Sequence, residues 1–124
     1  PRVRKAFVSG YLYGVGDSLL HLNGNCSCNY TPGLWRLLDM GDIASLIAPR
    51  PLLVQSCEED HLNGSRGLKN VDEQLRIVRD AYKLLGRRDA LRHEVCPGGH
   101  HLGVTHLVED IEWLDSHVAK CDRA

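Results

Sequence analysis

The stretch from Pro51 to Asp60 has the most informative pattern of hydrophobic and polar positions in the chain. An apolar run at 52–54 follows the Pro-Arg-Pro segment at 49–51 and precedes an acidic cluster that ends at Asp60. A short apolar run with turn signals on both sides is typical of a strand buried on both faces, as in parallel α/β sheets. Functional groups of such sheets collect beyond the carboxyl ends of the strands, so Asp60 is the first candidate site residue.

Two further strands and two long helices are predicted from the same kinds of pattern. Apolar runs predict strands over 5–10 and 91–96. Apolar residues at helical spacing predict a helix over 70–85, with Asn70 as N-cap and Gly86 just past its end. A final helix is expected over 104–119.

The segment between the first two strands is harder to assign. Residues 11–33 are rich in glycine, asparagine and serine. Their apolar positions follow neither the helical nor the strand period, which indicates a long loop. A helix is predicted over 32–40, and a second, short helix over 43–48 with Asp42 as its N-cap.

The alternation of strands and helices predicts the fold class. Strand, helix, strand, helix, strand, helix is the order of an α/β protein with a parallel sheet and right-handed crossovers, in three αβα layers. No internal repeat and no domain boundary is visible, so 1–124 is predicted to be a single domain.

Composition narrows the function classes. With 124 residues, 43% of them hydrophobic, the chain suits one modest domain with a core. A net charge of −1 indicates neither a nucleic acid nor an anionic membrane as partner, and no apolar stretch approaches the roughly 20 residues of a transmembrane helix. Five irregularly spaced cysteines favour reduced thiols and a cytoplasmic location. The chain begins at Pro1 rather than Met, which leaves a longer natural polypeptide open.

Two candidate groups follow the ends of successive predicted strands. Asp60 follows the second strand, and His100 and His101 follow the third. Taken singly, an aspartate there is usually a cap and a histidine after Gly-Gly is usually part of a loop. Because the carboxyl ends of parallel strands share one edge of the sheet, the pair instead suggests an aspartate that orients a histidine as general base.

Several motifs resemble one branch of the α/β-hydrolase superfamily, the dienelactone-hydrolase-like and acetyl-xylan-esterase-like proteins. They cover nearly the whole chain, and are Ser9–Tyr11, Cys26–Tyr30, Pro32–Leu34, Asp39–Ile43, Ile47–Leu52, the segment ending in Glu59-Asp60, and Cys96–His100.

This resemblance implies a carboxylic-ester hydrolase in which Asp60 is the catalytic acid and His100 the catalytic histidine. His101 is the fallback for the base. His61 stands where the family often has proline, so Glu58 or Glu59 remains an alternative acid. The substrate would be a small ester, possibly an acylated sugar, with no cofactor. Residues about 11–48 would form a lid-like insertion that shapes substrate choice.

The nucleophile of that family is missing. No Gly-x-Ser-x-Gly motif occurs in the chain, and Ser9 lacks its flanking pattern. We therefore expect the C-terminal part of a serine hydrolase, inactive by itself. Its first strand would present an exposed edge, which predicts self-association or pairing with an absent N-terminal part.

Two alternatives remain open. A zinc module could draw on His21, Cys26 and Cys28, although Cys-Ser-Cys is tighter than usual zinc spacing. A non-catalytic α/β interaction domain would also lack a nucleophile.

Overall fold

The computed structural model describes residues 2–21 and 23–121, with only the backbone of Cys121. Within them, three strands form one sheet in the order β1-β2-β3. β1 spans Ala6–Ser9, β2 spans Leu52–Cys57 and β3 spans Leu91–Cys96, and both neighbouring pairs are parallel. The three predicted strands and their parallel direction are confirmed.

Among the described residues, three α-helices flank this sheet. α1 spans Met40–Ser45, α2 spans Leu68–Leu84 and α3 spans Leu107–Cys121. α1 and α2 pack together against one face of the sheet, and α3 covers the other. The predicted three-layer α/β class is therefore confirmed. No helix in the described part of the chain has both the length and the apolar character needed to cross a membrane.

The two faces of the sheet differ in chemistry. The α2 face, which presents Ala6, Val8, Leu52, Val54 and Leu91, packs into one apolar cluster. Burying this surface removes apolar area from water and supplies most of the favourable free energy of folding. The α3 face also buries Leu53, but it carries Gln55, Arg92 and Glu94 in register beside it.

Helix α2 follows the predicted pattern apart from its start. Its apolar stripe is buried, and Gly86 lies just past its end with φ +66°. Asn70 as N-cap is wrong, because the helix begins at Leu68 after Gly67. The Asn70 amide instead lies inside the protein and donates to the carbonyls of Gly14 (3.0 Å) and Asn63 (2.7 Å). The need to satisfy buried carbonyls outweighs its preference for a cap.

The predictions for the residues before α1 need correction. The helix predicted over 32–40 is only a 3₁₀ turn, Leu34–Arg36. The helix predicted over 43–48 is α1, which begins earlier because Asp39, not Asp42, is its N-cap. The Asp42 carboxylate accepts from the Asp39 N–H (2.7 Å), which completes a capping box.

The long segment after β1 contributes to the core. Tyr13 and Leu19 are fully buried in the apolar cluster although they belong to no long element. The Tyr13 hydroxyl donates to the Asn25 carbonyl oxygen (2.8 Å) and the Tyr30 hydroxyl to the Leu19 carbonyl (2.6 Å). The segment is thus fastened to the domain, and whether it also acts as a lid stays a prediction.

Candidate functional site

Asp60 lies just past the carboxyl end of β2 and caps a 3₁₀ turn, His61–Asn63. Its Oδ1 accepts from the Leu62 N–H at 2.9 Å, and its Oδ2 lies 2.7 Å from Nδ1 of His100. The side chain of Asp60 is completely buried. Both carboxylate oxygens are therefore paired away from water, which holds the acid in one orientation.

His100 lies in the loop between β3 and α3, and its side chain is 46% exposed. An ionised carboxylate only accepts hydrogen bonds, so the short contact with Asp60 requires the proton on Nδ1. The second ring nitrogen, Nε2, is then an acceptor in the neutral imidazole. Asp60 thus sets the tautomer that a general base needs.

Backbone hydrogen bonds join the turn that carries the acid to the loop that carries the histidine. Glu58 N–H donates to the Cys96 carbonyl and Glu59 N–H to the Gly98 carbonyl, both at 2.9 Å. Gly98 has φ +84°, a conformation that glycine adopts without strain. These bonds extend the β2–β3 pairing past the sheet and bring Asp60 and His100 together.

Gly10, at the end of β1, lies directly against the imidazole. A Cβ atom at this position would lie 2.8 Å from Cε1 and 3.1 Å from Nδ1 of His100, and 3.6 Å from Oδ2 of Asp60. Its φ of +62° also favours glycine. This role was not predicted from the sequence, although a glycine directly after a strand at the same sheet edge was the available signal.

Residues 97–106, between β3 and α3, form the histidine loop. Gln55, in the middle of β2, anchors the far end of this loop. Its amide makes two bonds with Gly103, accepting from the N–H at 2.8 Å and donating to the carbonyl at 3.0 Å. The Ser9 hydroxyl also donates to it, at 3.0 Å. Gln55 was missed as well, although a polar residue in a doubly buried strand has to find partners.

The other candidate residues do not contact the pair. His101 turns back on its own loop, with Nδ1 2.7 Å from the Gly99 carbonyl oxygen and 3.5 Å from Sγ of Cys57. Glu58 and Glu59 are exposed. Of the candidate acids and bases among the described residues, Asp60 and His100 are the pair whose side chains contact each other.

Tyr13 is fully buried, and the charge of Asp60 acts on its phenol. Burial, and then the neighbouring Tyr11, raise the pKa of its phenol well above the usual range, and the charge of Asp60 raises it further. The phenol therefore stays protonated at neutral pH and continues to donate to Asn25.

No metal site emerges from the cysteines and histidines. The part of the chain described here contains no group of three or more His, Cys, Asp or Glu side chains that could hold a metal ion. Cys26 and Cys28 are exposed free thiols, and Cys57 and Cys96 are also free. The Cys121 side chain lies outside the described residues.

Comparison with known proteins adds no family assignment. No protein-family model matches the chain, and no curated protein matches it significantly. A proposal for function therefore rests on the geometry of Asp60 and His100.

Proposed function

We propose that the chain supplies the acid and the base of a serine hydrolase acting on carboxylic esters, with a nucleophilic serine from outside these residues. One observation carries the proposal. A buried Asp60 carboxylate holds Nδ1 of a half-exposed His100 at 2.7 Å, at the carboxyl edge of a parallel sheet.

This geometry suits proton transfer at Nε2. His100 would take the proton of a serine hydroxyl as its oxygen attacks the ester carbonyl, and would then return that proton to the departing alcohol. A water molecule would then attack the acyl-serine. His100 would take a proton from that water and give it to the departing serine oxygen, which releases the acid. Asp60 would stabilise the imidazolium formed in each half of the reaction.

The local hydroxyl groups support an external nucleophile. In the described part of the chain, no hydroxyl group hydrogen-bonds to His100. Ser9 is at the same sheet edge, but its hydroxyl donates to Gln55.

The free edge of β1 is where a further strand would bring such a serine. Among the described residues this edge has no strand partner. Beside it, on the α2 face, an apolar groove of about 210 Å³ runs between β1 and α1. Its walls include Val8, Trp35, Ile43 and Ile47. An unpaired edge next to an exposed apolar groove is a typical site of association.

The handedness of the strand connections indicates which element would occupy the groove beside β1. The connections from β1 to β2 and from β2 to β3 both pass over the α2 face. A strand added beside β1, connected to it by a right-handed crossover, would place its helix over the same face, in the groove. The turn between that strand and its helix would lie at the carboxyl edge, near Gly10 and His100, where a nucleophile is needed. Self-association through the same edge is the alternative.

A small ester, with an acylated sugar as one example, remains the proposed substrate, and a cytoplasmic location is proposed with it. The four cysteines whose side chains are described are all free thiols, which suits a reducing compartment.

A fluorophosphonate probe, with p-nitrophenyl acetate turnover beside it, tests the proposal. The chain alone should form no adduct. The protein translated from the complete reading frame should be labelled on one serine outside 1–124. His100→Ala should lower turnover by about 10²–10⁴-fold, the usual contribution of a general base.

Glu59→Gln is the matched control, because it removes an exposed carboxylate next to Asp60 and should leave labelling intact. A stoichiometric adduct on a serine of this chain would place the nucleophile inside it. Labelling that survives both His100→Ala and Asp60→Ala would show that the pair is not the acid and base.

A further inference from the structure

Asp110 is a buried carboxylate without a hydrogen-bond donor. It lies in the first turns of α3, it is 0% exposed, and neither carboxylate oxygen has a hydrogen-bond partner among the described residues. Its one oppositely charged contact among those residues is Nη1 of Arg92, at 3.4 Å. Leaving a buried acceptor unpaired is destabilising, and more so for a charged group. A second stabilising interaction is therefore to be expected at this position.

Glu94 provides the missing donor if it carries a proton. Its carboxylate pairs with Nη2 of the same Arg92, so a single guanidinium meets both acids, and Glu94 also lies within hydrogen-bond reach of Asp110. Two carboxylates that share one cation leave a net negative charge in a poorly solvated site. Protonation of Glu94 would remove that charge, and its O–H would donate to Asp110.

We propose that Glu94 and Asp110 bind one proton between them, and that this shared proton fastens the two ends of the 97–106 segment. Glu94 is two residues before the end of β3, and Asp110 is in α3, just after the segment. The segment presents His100, so the carboxyl pair has a positioning role. The inference goes beyond the proposed function and holds whether or not a nucleophile is supplied.

The surroundings allow the proton to exchange with solvent. Glu94 lines an open cavity of about 600 Å³ together with Gln55, His106 and Cys96. The charged or titratable groups that face Glu94 are Arg92 on its own strand, Asp110 and His106 from the α3 side, and Cys96. Gln55 faces it from β2 and is neutral.

The electrostatics give the direction of the pH dependence. Burial raises the pKa of Glu94; Asp110 raises it further, while Arg92 and His106 lower it. A carboxyl group whose pKa is higher in the folded state binds its proton more tightly there. The stability that it contributes is complete below the unfolded-state pKa and is lost as the pH rises through the folded-state pKa. The pair should therefore loosen towards alkaline pH.

The test compares Glu94→Gln with wild type by urea unfolding from about pH 5 to about pH 8. Glutamine keeps the shape of the protonated acid, and its amide can donate to Asp110 at every pH. We expect the wild-type midpoint to fall relative to that of the variant as the pH rises. Glu109→Gln is the matched control, since it removes an exposed carboxylate from the same turn of α3 and should stay parallel to wild type.

Two readouts separate the positioning role from a general gain in stability. Amide exchange of residues 98–106 at about pH 8 should slow several-fold in Glu94→Gln relative to wild type, while exchange in α2 tracks overall stability. In wild type, the side-chain carboxyl ¹³C signal of Glu94 should titrate at higher pH than that of a free glutamate, because its pKa is raised by burial. A Glu94 signal that titrates like a free glutamate, or a Glu94→Gln midpoint parallel to wild type, would overturn the proposal.

Discussion

The two faces of the sheet differ in chemistry, and the difference separates stability from positioning. The α2 face buries an apolar cluster that contains Leu52, Val54 and Leu75. The α3 face carries Gln55, which bonds to the loop after β3, and Arg92, which pairs with Asp110 of α3 and with Glu94 on its own strand. Apolar packing has no direction, whereas hydrogen bonds and ion pairs fix specific atoms. The first face therefore holds the domain together, and the second fixes the far end of the loop that carries His100 and the start of α3.

The largest effect should come from the α2 face. Leu75→Ala removes a fully buried side chain from the centre of α2 and should reduce the free energy of unfolding by about 3 kcal/mol. Urea unfolding measures this loss. Leu84→Ala, on the same helix but 86% exposed, should change it by less than about 0.5 kcal/mol. Equal losses in the two variants would show that α2 does not pack as described.

Gln55→Leu should have the next largest effect, and a local one. It leaves Gly103 N–H and carbonyl groups and the Ser9 hydroxyl without their partner, at a cost of about 1–3 kcal/mol. Amide exchange should accelerate in the histidine loop beyond the increase seen elsewhere.

Gln74→Leu is the matched control for this prediction. The Gln74 side chain is also buried, and it accepts from Gly41 N–H (2.8 Å) and donates to the Asp39 carboxylate (3.1 Å), both at α1. Its loss should accelerate exchange at α1 and leave the histidine loop unchanged. The same exchange pattern in both variants would remove the distinction between the faces.

Gly10→Ala should have the smallest effect on stability and a specific effect on the site. The positive φ costs a side chain about 1–2 kcal/mol, and the new Cβ would press on His100. Gly86→Ala is the matched control, because Gly86 has φ +66° but no atom within 4 Å of such a Cβ. The Nδ1 proton signal of His100 should shift in Gly10→Ala alone. An unchanged signal would mean that Gly10 does not set the ring position.

Much of the scaffold was predictable from local patterns. Burial requires apolar residues at fixed periods, so the apolar run at 52–54 identified β2 and the apolar stripe identified α2. Gly86 marked the end of α2. Local patterns did not predict the structure of residues 11–48 correctly. The Asn70 amide donates to the Gly14 carbonyl, and the Asp39 carboxylate accepts from the Gln74 amide and from Val15 N–H. These partners are far apart in sequence, so no local period reveals them.

The sequence by itself determined the three strands, the two long helices α2 and α3, the parallel direction of the sheet, and the nomination of Asp60 and His100. It did so because hydrophobic period and strand ends are local properties. Only the tertiary structure decided that His100 rather than His101 meets Asp60, and that Gly10 and Gln55 support it. It alone joined Glu94 to Asp110 through Arg92. These contacts depend on how chain segments far apart in sequence cross at one edge and on one face of the sheet.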